Sequence, residues 1–236
     1  MQVNELKAAL GPFSGRSLQY CTDACLKRYL VARNWNVEKS KKMLEETLRW
    51  RSTYKPEEIR WHEVAVEGET GKVYRANFHD RHGRTVLILR PGMQNTSSLD
   101  NQMRHMVYLI ENAILNLPEG QEQMAWIGRL TQFSMCLYAS VLQVVRYFLD
   151  PKTFQKVKFV YPKNKDSVEL MSSYFDYDNL PTEFGGKATL QYDHEEFSRQ
   201  MTQDDVKAAK LWGFDEHPPN GHAGAEVAPE PECLSP

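Results

Sequence analysis

Leu180-Pro181-Thr182-Glu183-Phe184-Gly185-Gly186 is the stretch on which the fold reading turns. The proline ends one element there, and the glycine pair lets the backbone fold sharply back. Alone it would say only that the chain turns. It gains meaning from the blocks ahead of it. These are Asp23-Ala24-Cys25-Leu26-Lys27-Arg28-Tyr29-Leu30-Val31-Ala32-Arg33-Asn34-Trp35-Asn36-Val37, then Leu48-Arg49-Trp50-Arg51, then Gly83-Arg84-Thr85-Val86-Leu87-Ile88-Leu89-Arg90-Pro91-Gly92, then Tyr147-Phe148-Leu149-Asp150-Pro151.

Periodicity supplies the elements between these blocks. Asp23 is the expected N-cap of a helix running to about Arg33, with Leu26, Tyr29 and Leu30 on one face. Asn34-Trp35-Asn36 breaks it. Met43, Leu44, Thr47, Leu48 and Arg51 recur at three and four, which predicts a helix from about Val37 to Tyr54. Pro56 opens a turn through Trp61. Val73 to Phe78 reads as a strand, and His79 to Gly83 as a turn. Thr85 to Leu89 is a continuous apolar run, as in a strand buried on both faces. A helix follows from about Ser98 to Asn116, with Met103, Met106, Val107, Ile110, Ile114 and Leu117 as its apolar stripe. Met124 to Ile127 reads as a short strand. Val141, Val145, Phe148 and Leu149 mark a helix that stops at Asp150-Pro151. Val157, Phe159 and Tyr161 alternate into a strand, Asp166 caps a helix through Tyr174, and a strongly charged helix spans about Asp193 to Trp212. The order is that of a mixed α/β lobe behind a helical one. From Phe214 the composition turns to Pro, Gly, Glu and His, which predicts disorder.

The chain of 236 residues carries 41% hydrophobic and 25% charged residues, in keeping with a globular protein of one large domain or a domain with a small companion. A formal net charge of -2 provides no global field for nucleic acid or anionic membrane, so any phosphate site must be local. Cys21, Cys25, Cys136 and Cys233 lack a paired metal spacing and read as reduced thiols, with disulfides or metal as the minority alternative. Met1 to Leu10 has no apolar signal-peptide core. The longest apolar stretch, Met135 to Val145, falls short of the ~20 residues a membrane span needs.

Enzyme signatures are missing. No Gly-x-Gly-x-x-Gly follows a strand, no phosphate loop surrounds Gly185-Gly186-Lys187, and no Gly-x-Ser-x-Gly elbow occurs. His79 and His82 around Asp80 read as a solvated turn rather than a metal site. His105 reads as a boundary histidine. Glu111 and Asn112 fall off the stripe and read as solvent-facing.

Taken in order, the quoted blocks closely resemble the CRAL-TRIO family of lipid-binding and lipid-transfer proteins, which includes phosphatidylinositol-transfer proteins. The resemblance runs from about Asp23 to Gly186. It implies an α/β fold with an N-terminal helical lobe at 1–61 and a lipid-binding lobe at 62–190; charge and composition add a charged helix at 191–213 and a disordered tail at 214–236. The resemblance also implies a non-enzymatic carrier of phosphatidylinositol or a related phospholipid, monomeric and cytoplasmic, that contacts membrane surfaces transiently and binds neither nucleic acid nor a cofactor. Lys156 matches a family position that contacts the inositol phosphate, and Arg33 matches a second basic position at the head group. Asn34 stands where the family often has lysine, which removes one positive charge. Ile110, Ile114, Val145, Phe148 and Phe159 are the expected apolar enclosure, and the helix ending at Leu149 resembles the end of the family's gate helix.

The resemblance breaks between Ile127 and Gln143. A strand-helix-strand unit needs ≈ 30 residues or more, and the interval is shorter than that. The family's Tyr-Pro-Glu-Arg motif is absent. An internal deletion, from splicing or an imperfect gene model, is expected to have removed one or more central elements. An alternative therefore stands beside lipid carriage: an interaction or regulatory fragment whose pocket does not close.

Overall fold

The computed structural model describes residues 2–128, 158, 160, 164–189 and 191–214. The helical lobe is built from α1 (Gln2–Leu10), α2 (Arg16–Tyr20), α3 (Asp23–Ala32) and α4 (Val37–Tyr54). A short 3-10 turn at Pro56–Glu58 leads to α5 (Trp61–Gly68). Then come β1 (Val73–His79), β2 (Thr85–Leu89), α6 (Leu99–Leu115), β3 (Met124–Gly128), α7 (Lys165–Tyr174) and α8 (His194–Trp212).

Capping chemistry sets the helix starts, in two cases one or two residues from where the sequence placed them. Thr22, not Asp23, caps α3: its hydroxyl accepts from the Cys25 N–H at 3.3 Å, and Asp23 sits in the first turn, where it complements the dipole. Asn164, not Asp166, caps α7 by accepting from the Ser167 N–H at 3.0 Å. Asn36 caps α4, accepting from Lys39 N–H at 2.9 Å, and Asp193 caps α8, accepting from Glu196 N–H at 2.9 Å. The short helices α1, α2 and α5 were not expected.

β1 and β2 pair antiparallel, and β2 and β3 pair parallel, in the order β1-β2-β3. The parallel register sets Val86 opposite Ala125 and Ile88 opposite Ile127. Alternation therefore points Val86, Ile88 and Ile127 to one face, where they pack with Phe175 and Leu180. Val86, Leu87 and Ile88 are each 1% exposed or less, as the unbroken apolar run implied. Each contributes about 2 kcal/mol by burial.

Two further apolar clusters complete the core. One lies inside the helical lobe, around Leu6, Leu26, Leu30 and Leu44. The other joins Ile59, Trp61 and Val64 to Tyr108 and Leu109 of α6 and to Phe197 and Met201 of α8. The charged helix α8 is thus part of the packed body. Phe214, just past its Gly213 cap, lies 4.5 Å from the Arg16 guanidinium.

The face that α6 buries differs from the stripe read in the sequence. His105, Tyr108, Leu109, Asn112 and Ala113 are buried, whereas Met103 and Ile114 are exposed. The cause is polar pairing across the chain. Tyr108 donates to Asp205 at 2.9 Å, and Asn112 donates to Asp204 at 2.9 Å. Glu111 and Asn112, read as solvent-facing, are therefore corrected: Asn112 is buried, and Glu111 is held in an ion pair with Arg51. His105 is likewise fully buried rather than at a boundary, at 1% exposure.

Candidate functional site

Arg33 caps the C-terminal end of α3 and is exposed. Its Nη1 donates to the Ala32 carbonyl at 3.2 Å, and it makes no ion pair with the described residues. A cation held this way is open to an incoming phosphate. The turn it begins is tight. Trp35 N–H donates back to the Leu30 carbonyl at 2.7 Å, and Asn34 and Trp35 take φ of 53° and 62°.

Ile110 and Ile114 lie one turn apart on α6, half-buried and exposed respectively. With Met103, Met106 and Val107 they leave an apolar stripe incompletely covered by the described residues. Lys156, Val145, Phe148 and Phe159 lie outside the described residues, as do the helix ending at Leu149 and positions 157, 159 and 161 of the expected strand, in which only Lys158 and Val160 are described. Arg33 and the two isoleucines stand on different lobes.

The opening turn motif locks onto the sheet. Leu180 is fully buried, and a Cβ on Gly186 would lie 1.9 Å from the Leu180 carbonyl oxygen. Only glycine permits that approach. Arg90, at the end of β2, donates through Nε to Glu183 at 2.8 Å and through Nη2 to the Tyr74 hydroxyl at 3.0 Å. The stretch is therefore a structural brace for the sheet.

A second brace joins the lobes. Arg51 is 7% exposed and donates through Nη1 to Glu111 Oε1 at 2.7 Å. Its Nη2 reaches Glu111 Oε2 at 3.0 Å and Glu57 Oε2 at 3.2 Å. The guanidinium also lies 4.5 Å from the Tyr20 ring and 5.3 Å from that of Trp212. The sequence placed Arg51 in the helix stripe and in the Leu48-Arg49-Trp50-Arg51 block, but gave no sign of its partners. Beside this brace, a groove of ≈ 510 Å³ runs between α6 and α8, lined in part by Ile59, Ile114, Leu211, Asp204 and Lys207. Its mixed lining suits an amphipathic occupant more than a bare acyl tail.

Buried titratable groups elsewhere are structural. Lys72 pairs with Glu67, and Thr96 donates to the same carboxylate at 2.7 Å. Burial works against that carboxylate, but the bonds from Lys72 and Thr96 outweigh it and hold its pKa below the usual range. Burial, reinforced by the Lys72 charge, lowers His105 to about 4. Cys21 and Cys25 are buried free thiols. Burial pushes Cys21 up to about 11 and raises Cys25, so neither is reactive at neutral pH. Cys136 and Cys233 lie outside the described residues. His79 and His82 are exposed, and Asp80 spends its carboxylate on the His82 and Arg84 N–H groups at 2.9 Å each. Among the described residues, no group of three or more His, Cys, Asp or Glu side chains could hold a metal ion. No described helix is long and apolar enough to cross a membrane.

Comparison with known proteins covers both lobes. The CRAL/TRIO domain family model matches residues 68–140 and 136–186, and the CRAL/TRIO N-terminal domain model matches 3–46. The two segments of the first match meet inside the interval where the sequence resemblance breaks. A CRAL-TRIO domain-containing protein of Schizosaccharomyces pombe is 28% identical over 217 residues, covering 78% of this chain and 21% of that protein. A phosphatidylinositol transfer protein of Saccharomyces cerevisiae is 34% identical over 119 residues, covering 48% of this chain and 34% of its own length. A second S. pombe CRAL-TRIO domain-containing protein is 24% identical over 221 residues, covering 74% and 48%. The chain thus spans less than half the length of each of these relatives.

Proposed function

From its membership of the CRAL/TRIO domain family, to which this chain belongs, we propose that it binds a phospholipid and transfers it between membranes. The observation that carries this reading is that family matches fall on both the helical lobe and the sheet-bearing lobe. The likeness to a phosphatidylinositol transfer protein favours an inositol phospholipid as ligand.

The chemistry needs no catalytic residue. An acyl chain leaves the bilayer only if the protein replaces its surroundings, at about 0.8 kcal/mol per buried methylene. Ile110, Ile114, Val145, Phe148 and Phe159 are the proposed enclosure, and the helix ending at Leu149 is the proposed gate. Lys156 and Arg33 are the proposed head-group cations. Arg33 is suited to that role by its exposure and its lack of a carboxylate partner among the described residues. The proposed carrier acts as a monomer in the cytoplasm and meets membranes transiently.

Head-group recognition is tested by Lys156→Ala. Transfer of inositol phospholipid should fall severalfold, with phosphatidylcholine transfer less affected. Equal loss for both lipids would remove Lys156 from the head group. One observation favours a second reading. The family match is split at residues 136–140, as expected if central elements are missing. A chain with an unclosed pocket would serve as an interaction or regulatory fragment. Such a fragment would carry no lipid and would melt with poor cooperativity.

A further inference from the structure

The turn joining α3 and α4 carries charge that the fold does not use. From Lys27 to Lys42 the sequence holds six basic side chains, Lys27, Arg28, Arg33, Lys39, Lys41 and Lys42, against one acid, Glu38. The chain as a whole is net -2, so this is a local concentration. Arg28 reaches Glu122 at 3.3 Å and Lys41 reaches Glu45 at 3.9 Å, open contacts that bind weakly. Lys27, Lys39 and Lys42 are exposed and make no ion pair with the described residues. Lys39, Lys41 and Lys42 also crowd the opening turns of α4, where the helix dipole disfavours cations. Further along the same helix, Glu45, Glu46 and Arg49 mix signs in the usual way of a solvated face.

The same turn presents an indole at a conformational cost. Trp35 stands at φ 62°, a left-handed conformation that bulky residues rarely adopt. Trp35 is 41% exposed, next to Val31 at 51%, and it takes no part in the Leu6–Leu26–Leu30–Leu44 cluster of its own lobe. Glycine would relieve the backbone here, so stability does not account for a tryptophan. Tryptophan is favoured at the membrane interface, and lysine near an anionic leaflet is attracted to it.

We infer that the α3–α4 turn is a docking surface for an anionic bilayer. Trp35 and Val31 enter the head-group layer, and Lys27, Lys39 and Lys42 lie against lipid phosphates. This deepens the lipid-transfer reading and rests on it. An acidic protein would satisfy the lysines but give Trp35 and Val31 no apolar medium, which favours the bilayer.

The test is co-sedimentation of the full chain with phosphatidylcholine vesicles, with and without phosphatidylserine. Binding should require phosphatidylserine and weaken as salt rises. Each lysine near an anionic surface is worth roughly fivefold in partition, so the Lys39→Gln/Lys42→Gln pair should lose more than about tenfold. Trp35→Gly should lose binding while its melting midpoint holds or rises, because glycine suits the left-handed turn. Wild-type partition by Trp35→Gly or by the lysine pair would overturn the inference. So would binding to polyglutamate as tight as binding to the vesicles, which would assign the patch to an acidic protein. Native mass spectrometry of the same preparations separates the two readings. Vesicle binding that depends on Trp35 with no lipid aboard the wild type would uphold the docking surface and sink lipid carriage. Lipid aboard with vesicle binding indifferent to Trp35 would do the reverse.

Discussion

Replacing Arg51 with methionine should be among the most damaging single changes in the helical lobe. The guanidinium is buried and joins α4 to Glu57 of the 3-10 turn, to Glu111 of α6 and to the Trp212 ring of α8. Methionine keeps most of the volume and removes the charge. Glu57 is then left 6% exposed, with Arg16 at 3.6 Å as its remaining cation. Breaking a buried ion pair from one side costs about 3–5 kcal/mol, mostly because the surviving carboxylates are stranded. For a chain of this size, that lowers the melting midpoint by roughly 6–20 °C. The triple variant Arg51→Met/Glu57→Gln/Glu111→Gln should recover more than half the loss, since no buried charge remains unpaired. Arg51→Lys should fall between, keeping the charge but not the two-carboxylate fork. Urea unfolding of the four proteins reads this directly. A loss for Arg51→Met below about 1 kcal/mol, or a triple variant no better than the single, would mean that the site behaves like an exposed pair.

Gly186→Ala places its Cβ against the Leu180 carbonyl, and the backbone must move. A loss of about 3 kcal/mol is expected, whereas Gly185→Ala, at φ 88° in open space, should lose only about 1–2 kcal/mol. Comparable losses in urea unfolding would show that the close approach does not matter. His105 makes stability depend on pH. Its folded pKa of about 4 lies below the ordinary 6.5, so the unfolded chain takes the proton first as pH falls. Stability is then full above the unfolded value and is lost between it and the folded one. From about pH 7 to about pH 5 the loss should approach 2 kcal/mol. His105→Gln should flatten that slope, and an unchanged slope would assign it to other groups.

The sequence made some elements plain and hid others for definite reasons. β2 was legible because both its faces are covered, which leaves an unbroken apolar run from Val86 to Ile88. The limits of α4 were legible because its buried positions recur at helical spacing and Asn36 caps its start. The limits of α6 were equally clear, yet its buried face was not. That face contains His105 and Asn112, and the Asn112 Nδ2 donates to a carboxylate 92 residues away. Periodicity carries no information about such partners. The packing of the charged helix α8 was hidden for the same reason. Asp204 and Asp205 are spent on Arg75, Asn112, Asn116 and Tyr108, and only Phe197 and Met201 are buried. The helices α1, α2 and α5 are too short for a repeating pattern to emerge. Of the candidate site, Arg33 was placed by resemblance alone. The break at Asn34-Trp35-Asn36 was visible, but not that it would hold an indole out at positive φ.

Lipid carriage is tested most directly by native mass spectrometry of the purified chain, with the released species identified from the organic extract. A phospholipid bound at one per chain, displaced by added inositol phospholipid, is the expected result. A bare polypeptide mass that stays bare after incubation with mixed vesicles would contradict it.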